Sequence, residues 1–442
     1  MPHPQSIPGT YDEYGRRLDP VPTPEPGARG AVRAAAATTA AQTIYLTAEP
    51  WKATDYVASS SSYCLRVTWL EPAVVDYEYV YLYNRPAPAI GEPAGDNYYN
   101  WARAASAGGG KEEASYVFLL PQANCDTLSN FWAAYVRWDR ETGYRVVARA
   151  PYRASRADWM SSVLTAKPAW GDLTVNKILL PGSHDTGTFD MVDRGIPNVY
   201  NQTQTMNFRT QLDAGVRWLD IRMGYYASYE HSAEGPFFTV HASYGSWSAW
   251  STALTQIAAW LAVHTREVLF INFKWEGPTD WTAALRGRVL QMSYDTLKAF
   301  KMVPARDHAN LTVNKMLASH RVMLATSDAF DPIKDDGQVV DAVCPGVAYD
   351  WFNKYYIDDL IAALDASVPT KHTWMWASGT VLTPHAYDGR IPWGVYSLTM
   401  DKIDYLNYWV RNHANLLNVV SVDFIESSVI LARIEELNLQ RV

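Results

Sequence analysis

The chain has 442 residues, of which 48% are hydrophobic and 19% charged, so it is long and apolar enough for two domains or one large barrel with an extension. Its 38 basic and 46 acidic side chains give a formal charge of -8, which argues against nucleic-acid binding. The sequence contains no run of about 20 apolar residues, so we predict no transmembrane segment. The 3 cysteines are odd in number and lack metal-ligand spacing, which favours a thiol-reducing compartment. We expect a cytoplasmic location, with non-classical export left open, because the N-terminal sequence does not resemble a signal peptide.

The first 153 residues divide into two parts of different composition. Residues 1–42 are rich in proline and alanine, and we predict a disordered tail there. Residues 43–153 contain short runs of β-branched and aromatic residues, such as TIYLTAEPW and YEYVYLYN, separated by polar or Gly/Pro-rich segments. This spacing predicts a smaller, all-β, sandwich-like domain.

Residues 154–442 alternate between predicted strands and helices. The predicted strands are NKILLPG (176–182), VRWLDIR (216–222), FFTVHA (237–242), EVLFINF (267–273), HRVMLAT (320–326), GVAYDW (346–351), TWMWAS (373–378) and NVVSVDF (418–424). The clearest helix is STALTQIAAWLAVH, in which Leu254, Ile257, Ala258 and Leu261 follow the i, i+3, i+4, i+7 pattern behind Ser251 as N-cap. Eight strands that alternate with helices predict an α/β fold of the TIM (β/α)8 barrel type.

Polar side chains occupy the carboxyl ends of these predicted strands, where a barrel of this type carries its site. Asp220 and Arg222 are two residues apart and therefore share one face of their strand. Two histidines, several carboxylates and an arginine on one rim fit general acid–base chemistry beside a phosphate. The residues at the strand ends include His184, Asp185, Asp220, Arg222, His241, Lys274, Glu276 and Asp423.

Each of these residues also has a structural interpretation. A single histidine after a strand is more often structural or exposed than catalytic. Asp220 and Arg222 could form a structural ion pair, and Lys274 could be a solvated strand end. Asp423 could cap a helix that begins near Glu426. The order and placement of the whole set point to function more specifically than any one member.

The order of four segments resembles a known family. PGSHDTGT, QLDAGVRWLDIR, FTVHASYG and EVLFINFKWEG follow one another as in the X-domain of phosphatidylinositol-specific phospholipases C, most of all the bacterial and single-X-domain type. The resemblance extends from about Trp159 to the C-terminus. It implies a distorted TIM barrel, in agreement with the strand count, a phosphoinositide lipid as substrate and peripheral contact with a membrane.

The resemblance implies a role for each of five residues. His184 would be the general base that takes the proton from the inositol 2-hydroxyl, and Asp423 would orient its ring. The 2-oxygen would attack phosphorus, and diacylglycerol would leave behind a 1,2-cyclic inositol phosphate. His241, assisted by Asp185, would protonate the leaving oxygen. Arg222 would donate bidentate hydrogen bonds to the phosphate, which a lysine cannot copy.

The resemblance also bears on metal dependence. Calcium-dependent members have acidic ligands where this chain has Arg222 and, approximately, Lys274. Two positive side chains make a poor cation site, because calcium takes several carboxylate or carbonyl oxygens. We therefore expect no calcium and no other cofactor.

Substrate-binding and membrane-interface positions complete the prediction. The family positions that line the inositol pocket are matched by Lys274, Arg321, Asn353 and Tyr355. The family has an acidic residue where Asn353 stands, and an amide keeps an acceptor but loses the charge. Trp247 and Trp250 follow the third predicted strand, and we predict that they enter a lipid interface. The alternative is that they pack the following helix.

Two other functions remain open at this stage. One is a phosphodiesterase of the same barrel that acts on another head group, in a lysophospholipid or a glycerophosphodiester. Metal-dependent enzymes of that kind usually begin with His-Arg-Gly and use glutamate ligands, which PGSHDTG fits poorly. The other is a catalytically silent inositol-lipid-binding protein, which would lack one of the histidines or the arginine that this chain has.

Overall fold

The structure is a computed structural model. It describes residues 44–51, 62–70, 78–95, 97–104, 113–120, 130–139, 141, 143–152, 155–191, 200–242, 244–277, 280–368, 375–384 and 395–442. The chain divides into two compact units, Met1–Ala154 and Ser155–Val442. The tail predicted at 1–42 lies outside the described residues.

The described part of the first unit consists mainly of antiparallel strands. They are β1 (Ile44–Trp51), β2 (Ser62–Leu70), β3 (Glu78–Tyr83), β4 (Asn100–Arg103), β5 (Glu113–Leu120), β6 (Trp132–Asp139) and β7 (Gly143–Pro151). One sheet has the order β1-β2-β5 and the other the order β4-β3-β6-β7. Apolar side chains of both sheets, including Leu46, Leu65, Val80 and Ala133, belong to one buried cluster. The sandwich-like domain at 43–153 stays our prediction for this unit.

The second unit alternates strands with helices, as predicted. Its strands are β8 (Leu180–Ser183), β9 (Trp218–Tyr225), β10 (Phe237–His241), β11 (Tyr244–Ala249), β12 (Leu269–Trp275), β13 (Val322–Thr326), β14 (Lys334–Asp335), β15 (Gln338–Val339), β16 (Val343–Pro345), β17 (Ala348–Asp350), β18 (Trp376–Gly379) and β19 (Val419–Val422). Its helices are α1 (Trp159–Ala166), α2 (Phe208–Ala214), α3 (Trp250–Val263), α4 (Ala283–Leu297), α5 (Val313–Ser319), α6 (Ile357–Ser367), α7 (Val395–His413) and α8 (Val429–Leu439).

Eight of these strands form one curled parallel sheet. Their order is β16-β13-β12-β9-β8-β19-β18-β17, and every pairing along this path is parallel. No ladder joins β16 to β17 within the described residues, so the sheet is a half-open barrel. The predicted α/β class with a distorted TIM-type sheet is confirmed.

The apolar pattern explains why strands and helices take these places. Residues 269–273 of β12 are all buried, as expected for a parallel strand covered on both faces. Helix α3 buries Leu254, Ile257 and Leu261 along one stripe. Its N-cap is Ala249, not Ser251 as predicted, and the Ser251 hydroxyl donates to the Glu234 carbonyl instead. Among the described helices, none combines the length and the apolar character needed to cross a bilayer.

The sequence interpretation was wrong about one strand of the barrel and missed another. The predicted third strand is β10, which pairs antiparallel with both β9 and β11 and lies beside the parallel sheet. The eighth parallel strand is instead β16, a segment of three residues that is too short to show a period in the sequence. The difference matters for the site, because β10 carries His241.

Candidate active site

Four neighbouring strands deliver charged side chains to one edge of the parallel sheet. His184 follows β8, Arg222 lies in β9, Lys274 in β12 and Asp423 just after β19. These strands are adjacent in the order β12-β9-β8-β19. Because parallel strands end at the same edge, side chains that are far apart in sequence meet there.

The imidazole of His184 is held at both nitrogens. Its Nδ1 lies 2.7 Å from Oδ1 of Asp423, and its Nε2 lies 2.7 Å from Nη2 of Arg222. A guanidinium can only donate, so Nε2 must accept and Nδ1 must carry the proton. The amide of Gln204 fixes the backbone by donating to the carbonyls of His184 and Val422. This tautomer leaves Nε2 as the basic nitrogen.

Arg222 is surrounded by three carboxylates. Its Nε forms an ion pair with Asp185, its Nη2 lies 3.3 Å from Oδ2 of Asp220, and its Nη1 lies 3.0 Å from Oε1 of Glu276. Asp185 and Asp220 have fully buried side chains, whereas that of Arg222 is 11% exposed. The guanidinium therefore balances buried negative charge, and only a small part of it is exposed to solvent.

His241 reaches the same place by a different route. Strand β9 continues past Arg222 to Tyr225, and β10 returns antiparallel beside it, so that His241 comes back towards the level of Arg222. The Nδ1 of His241 lies 2.8 Å from the carbonyl oxygen of Asn201, which can only accept, so this nitrogen carries a proton. The same Nδ1 is 3.6 Å from Oδ2 of Asp185, and Nε2 of His184 is 3.7 Å from that oxygen. The two imidazoles therefore flank one carboxylate.

Lys274 lies beside the ion-pair cluster, which consists of Arg222, Asp185, Asp220 and Glu276. Its Nζ is 3.4 Å from Oδ1 of Asp220 and 3.6 Å from the ring centroid of Tyr349. The Tyr349 ring is also nearly parallel to the His184 imidazole, with centroids 6.0 Å apart and planes at 7°. The basic imidazole and the lysine ammonium thus contact one aromatic side chain.

Two glycines of the PGSHDTG motif allow β8 and its loop to approach their neighbours. A Cβ atom on Gly182 would lie 2.7 Å from the Trp218 ring, and one on Gly187 would lie 2.3 Å from Thr239 of β10. Thr239 also donates from its hydroxyl to the Gly187 carbonyl. Asp185 has a φ of 44° between them, in the left-handed region that Asp tolerates better than most residues. These close contacts link the His184 loop to the strand that carries His241.

Burial and neighbouring charges shift the pKa values in different directions. Burial lowers the pKa of His184 well below its ordinary value, and Arg222 lowers it further. Burial raises the pKa of Asp185 to about 6, although Arg222 acts against this rise. Burial also acts upward on Asp220, but Lys274 and Arg222 outweigh it and lower its pKa. His184 is therefore neutral and Asp220 ionised at neutral pH.

Three of these side chains could also act as metal ligands. His184, Asp185 and Asp220 each offer a ligand atom, and these atoms lie within 4.8 Å of one another. Arg222 already contacts all three side chains, and Lys274 contacts Asp220. A divalent ion at this point would meet two fixed positive charges, so this donor set fits a cation only if the guanidinium moves away.

The chain is similar in sequence to known proteins. No family model matches the chain. It is 28% identical over 248 residues to PI-PLC X domain-containing protein 1 of Mus musculus, covering 49% of this chain and 65% of that protein. The protein of the same name from Homo sapiens is 23% identical over 327 residues, covering 66% and 95%. The chain is thus similar in sequence to the PI-PLC X domain-containing proteins.

Two solved structures show a weaker similarity. Phosphatidylinositol-specific phospholipase C from Listeria monocytogenes is 15% identical with a TM-score of 0.49, covering 65% of this chain and 99% of that chain. A histidine-to-tyrosine mutant of the phosphatidylinositol-specific phospholipase C from Staphylococcus aureus is 14% identical with a TM-score of 0.49, covering 64% and 97%. Similarity at this level says nothing about the chemistry of the chain.

Two residues predicted from the resemblance to the PI-PLC X domain lie elsewhere in the structure. The first is Arg321, which stands directly before β13, at the amino end of the sheet. Its guanidinium donates to the carbonyls of Leu261, His264 and Glu267. Its placement in the inositol pocket was wrong, because a residue before a parallel strand lies at the edge opposite the site.

The second is Trp250, for which the prediction of a membrane-facing tryptophan was also wrong. This side chain is fully buried, and its Nε1 donates to the Ser293 hydroxyl at 2.9 Å. The alternative, packing of the following helix, holds instead. Trp247 belongs to β11, but its side chain lies outside the described part of the chain, so its interface role stays a prediction.

Asn353 and Tyr355 follow β17 and therefore lie on the same side of the sheet as the ion-pair cluster. Asn353 is exposed with a φ of 50°, and Tyr355 is half-buried against Tyr356. Their substrate-binding role stays a prediction.

Sequence reasoning assigned no role to several residues that shape the site. Asp220 and Glu276 were recognised at strand ends, where their spacing from Arg222 and Lys274 was the available signal. Asn201 gave no signal, because only its backbone carbonyl takes part. Tyr349 fell inside the predicted strand GVAYDW and was assigned no role, although alternation along β17 was an available signal.

Proposed function

We propose that the chain is a phosphatidylinositol-specific phospholipase C that works without a metal ion. The observation that carries the proposal is the Arg222 guanidinium beside a carboxylate, Asp185, that two imidazoles flank. Such a site can remove a proton, supply another and stabilise charge on a phosphate between them. The family relationship supports the same class of substrate.

In the first step, the inositol 2-hydroxyl attacks phosphorus. The neutral Nε2 of His184 takes the hydroxyl proton, and the Nδ1 proton stays on the hydrogen bond to Asp423. The attacking hydroxyl has to replace the hydrogen bond between Nε2 and Arg222, which frees Nη2 for a phosphate oxygen. Arg222 can then stabilise the negative charge that develops on the non-bridging oxygens.

In the second step, the bond between phosphorus and the diacylglycerol oxygen breaks. His241 acts as an imidazolium: Nδ1–H stays bonded to the Asn201 carbonyl, and Nε2–H protonates the leaving oxygen. Asp185 stabilises this imidazolium from 3.6 Å. The products are a 1,2-cyclic inositol phosphate and diacylglycerol, and a slower attack by water can open the ring.

Catalysis without a metal is supported by the charge already present. Arg222 contacts both carboxylates that could serve as ligands, which supports the proposal that it neutralises the phosphate in place of a cation. A fixed guanidinium with two donor edges can bind two phosphate oxygens in the plane, which substitutes for a Lewis acid.

The experiment is a phosphorus NMR assay on phosphatidylinositol vesicles with excess chelator. We expect full turnover and a cyclic phosphodiester as the first product, because the proton transfers and the phosphate contacts all come from side chains. Loss of activity that calcium restores would refute metal independence. A non-cyclic first product, or turnover only on a lysophospholipid or glycerophosphodiester, would favour the alternative phosphodiesterase. Binding of the lipid without turnover would indicate a silent binder.

We also propose peripheral contact with a membrane, through side chains other than Trp250. Trp351 is 52% exposed and Tyr356 is 65% exposed, and both lie in the loop between β17 and α6. This loop leaves the carboxyl edge of the sheet, where the ion-pair cluster lies. Tryptophan and tyrosine favour the boundary between head groups and acyl chains, so these residues could bring the site to a bilayer. The net charge of -8 favours a neutral or zwitterionic surface.

For the double variant Trp351→Ala with Tyr356→Ala, we expect at least about tenfold weaker sedimentation with phosphatidylcholine vesicles that contain phosphatidylinositol, since each aromatic ring loses its apolar contact with lipid. Turnover of a short-chain, monomeric phosphatidylinositol should stay unchanged. The matched control is Leu416→Ala, because Leu416 is 51% exposed but precedes β19 at the opposite edge. Unchanged vesicle binding by the double variant, or an equal loss in the control, would contradict the proposal.

A further inference from the structure

Tyr349, in the middle of β17, contacts two residues of the candidate site, His184 and Lys274, and also packs against Trp218. Its ring lies 5.9 Å from the Trp218 ring at 14° and 6.0 Å from the His184 imidazole at 7°, measured between centroids. Lys274 places its Nζ 3.6 Å from the centroid of the same ring. A basic imidazole and an ammonium group are thus both in contact with one aromatic side chain.

The hydroxyl of Tyr349 does not explain this position. It is buried and has no hydrogen-bond partner within the described residues. It packs against Gly379, where an added Cβ atom would lie 3.1 Å from it. Burial raises the pKa of Tyr349 well above its ordinary value, so the phenol is neutral. The contacts that face the site are therefore those of the ring.

The ring face gives the Lys274 ammonium an attractive contact in addition to Asp220. Asp220 is its nearest carboxylate at 3.4 Å, while Arg222 is a second positive charge in the same cluster. Burial lowers the pKa of Lys274, which Asp220 partly offsets. An ammonium over an aromatic face gains attraction from the ring quadrupole, and this attraction is stronger where water is excluded. The ring of Tyr349 can therefore help to fix the position of the Lys274 ammonium beside Asp220.

We propose that Tyr349 is a positioning residue for the phospholipase reaction proposed above: its ring orients the His184 imidazole and holds the Lys274 ammonium towards the substrate. The expected effect of Tyr349 on catalysis rests on the phospholipase function proposed above. The orientation of the two side chains does not depend on which lipid is cleaved.

The charges around His184 decide how the loss of this ring would appear in pH measurements. Arg222 and Asp220 from β9, Lys274 from β12, His241 from β10 and Asp423 after β19 all face the imidazole. Burial is the main reason for its lowered pKa. Replacing the ring by a shorter side chain admits water next to the imidazole, so the pKa of His184 should rise towards its ordinary value.

The experiment compares Tyr349→Leu, which removes the ring face, with Tyr349→Phe, which keeps it. For Tyr349→Leu we expect kcat/KM on phosphatidylinositol to fall by about 30-fold, which corresponds to the loss of a buried cation–π contact. We also expect the acidic limb of its pH–rate profile to move to higher pH. For Tyr349→Phe we expect the wild-type rate and profile. Tyr294→Leu in α4 is the control for lost packing, because Tyr294 is only 8% exposed and lies outside the site.

An NMR titration of the His184 ring protons, assigned with His184→Asn, gives a readout that needs no turnover. We expect its titration midpoint to move up in Tyr349→Leu and to stay in Tyr349→Phe and Tyr294→Leu. A wild-type midpoint in Tyr349→Leu, or an equal effect in either other variant, would overturn the inference. If Tyr349→Leu does not fold, Tyr349→Met serves the same test. A chain without phospholipase activity would refute the proposed function, yet the ring protons would still report on Tyr349.

Discussion

Replacement of His184 or His241 by alanine is expected to lower kcat by about 10²–10⁴-fold, because each removes one of the two proton-transfer groups that we propose. His184→Ala removes the imidazole nitrogen that accepts from Arg222. His241→Ala removes the proton donor that the Asn201 carbonyl orients. Initial rates on phosphatidylinositol vesicles, measured beside the unfolding temperature, would separate lost chemistry from lost folding.

A matched control exists among the other histidines. His413 has a side chain 29% exposed, close to the 24% of His241, but it ends α7 and lies before β19 at the amino edge of the sheet. His413→Ala should leave the rate unchanged. The double variant of His184 and His241 should lose less than the product of the two single losses, because groups that act as a unit are not additive. A single variant that keeps the wild-type rate would exclude that histidine as acid or base.

Arg222→Lys is expected to lose about 10²–10³-fold in kcat/KM, although it keeps the positive charge. Lysine presents a single ammonium and cannot contact Asp185, Asp220 and Glu276 while donating to two phosphate oxygens. The measurement is kcat/KM with chelator present, so that an adventitious ion cannot replace the lost donor. Arg209→Lys, at a half-buried pair with Asp213, is the control that should keep full activity. Full activity of Arg222→Lys would contradict the proposed role.

Arg222→Met tests the electrostatics of the same cluster through stability. Burial already raises the pKa of Asp185 to about 6, and Arg222 is the strongest of the groups that lower it. Without the guanidinium this pKa should rise further. The folded chain then holds a proton that the unfolded chain has released, so stability increases as the pH falls from neutral towards the ordinary carboxyl range. An unfolding temperature of Arg222→Met that falls over this interval would argue against the assigned contacts.

Much of the candidate site was visible in the sequence because neighbouring parallel strands share one edge. His184, Arg222, Lys274 and Asp423 each come at or just after an apolar run, and the spacing of Asp220 and Arg222 already placed them on one face. Periodicity finds such runs, and the rule that parallel strands end together supplies the meeting point.

The sequence-based predictions that were wrong or missing have a common cause. Trp250 has the composition of an interface residue but is fully buried, and Arg321 stands at the wrong end of its strand. Tyr349 was assigned no role, yet it contacts both His184 and Lys274. In each case the partner is remote in the chain, so no local pattern records it.

Local apolar periods were enough to predict the class of fold, seven of the eight parallel strands and the chemical types gathered at one edge. Three features could not be read from local patterns: β10 turns back antiparallel and brings His241 towards Arg222, the parallel sheet stays open between β16 and β17 in the described residues, and an aromatic ring contacts Lys274. These outcomes depend on pairings between distant segments, whose energies are set by packing and by the shared burial of charge.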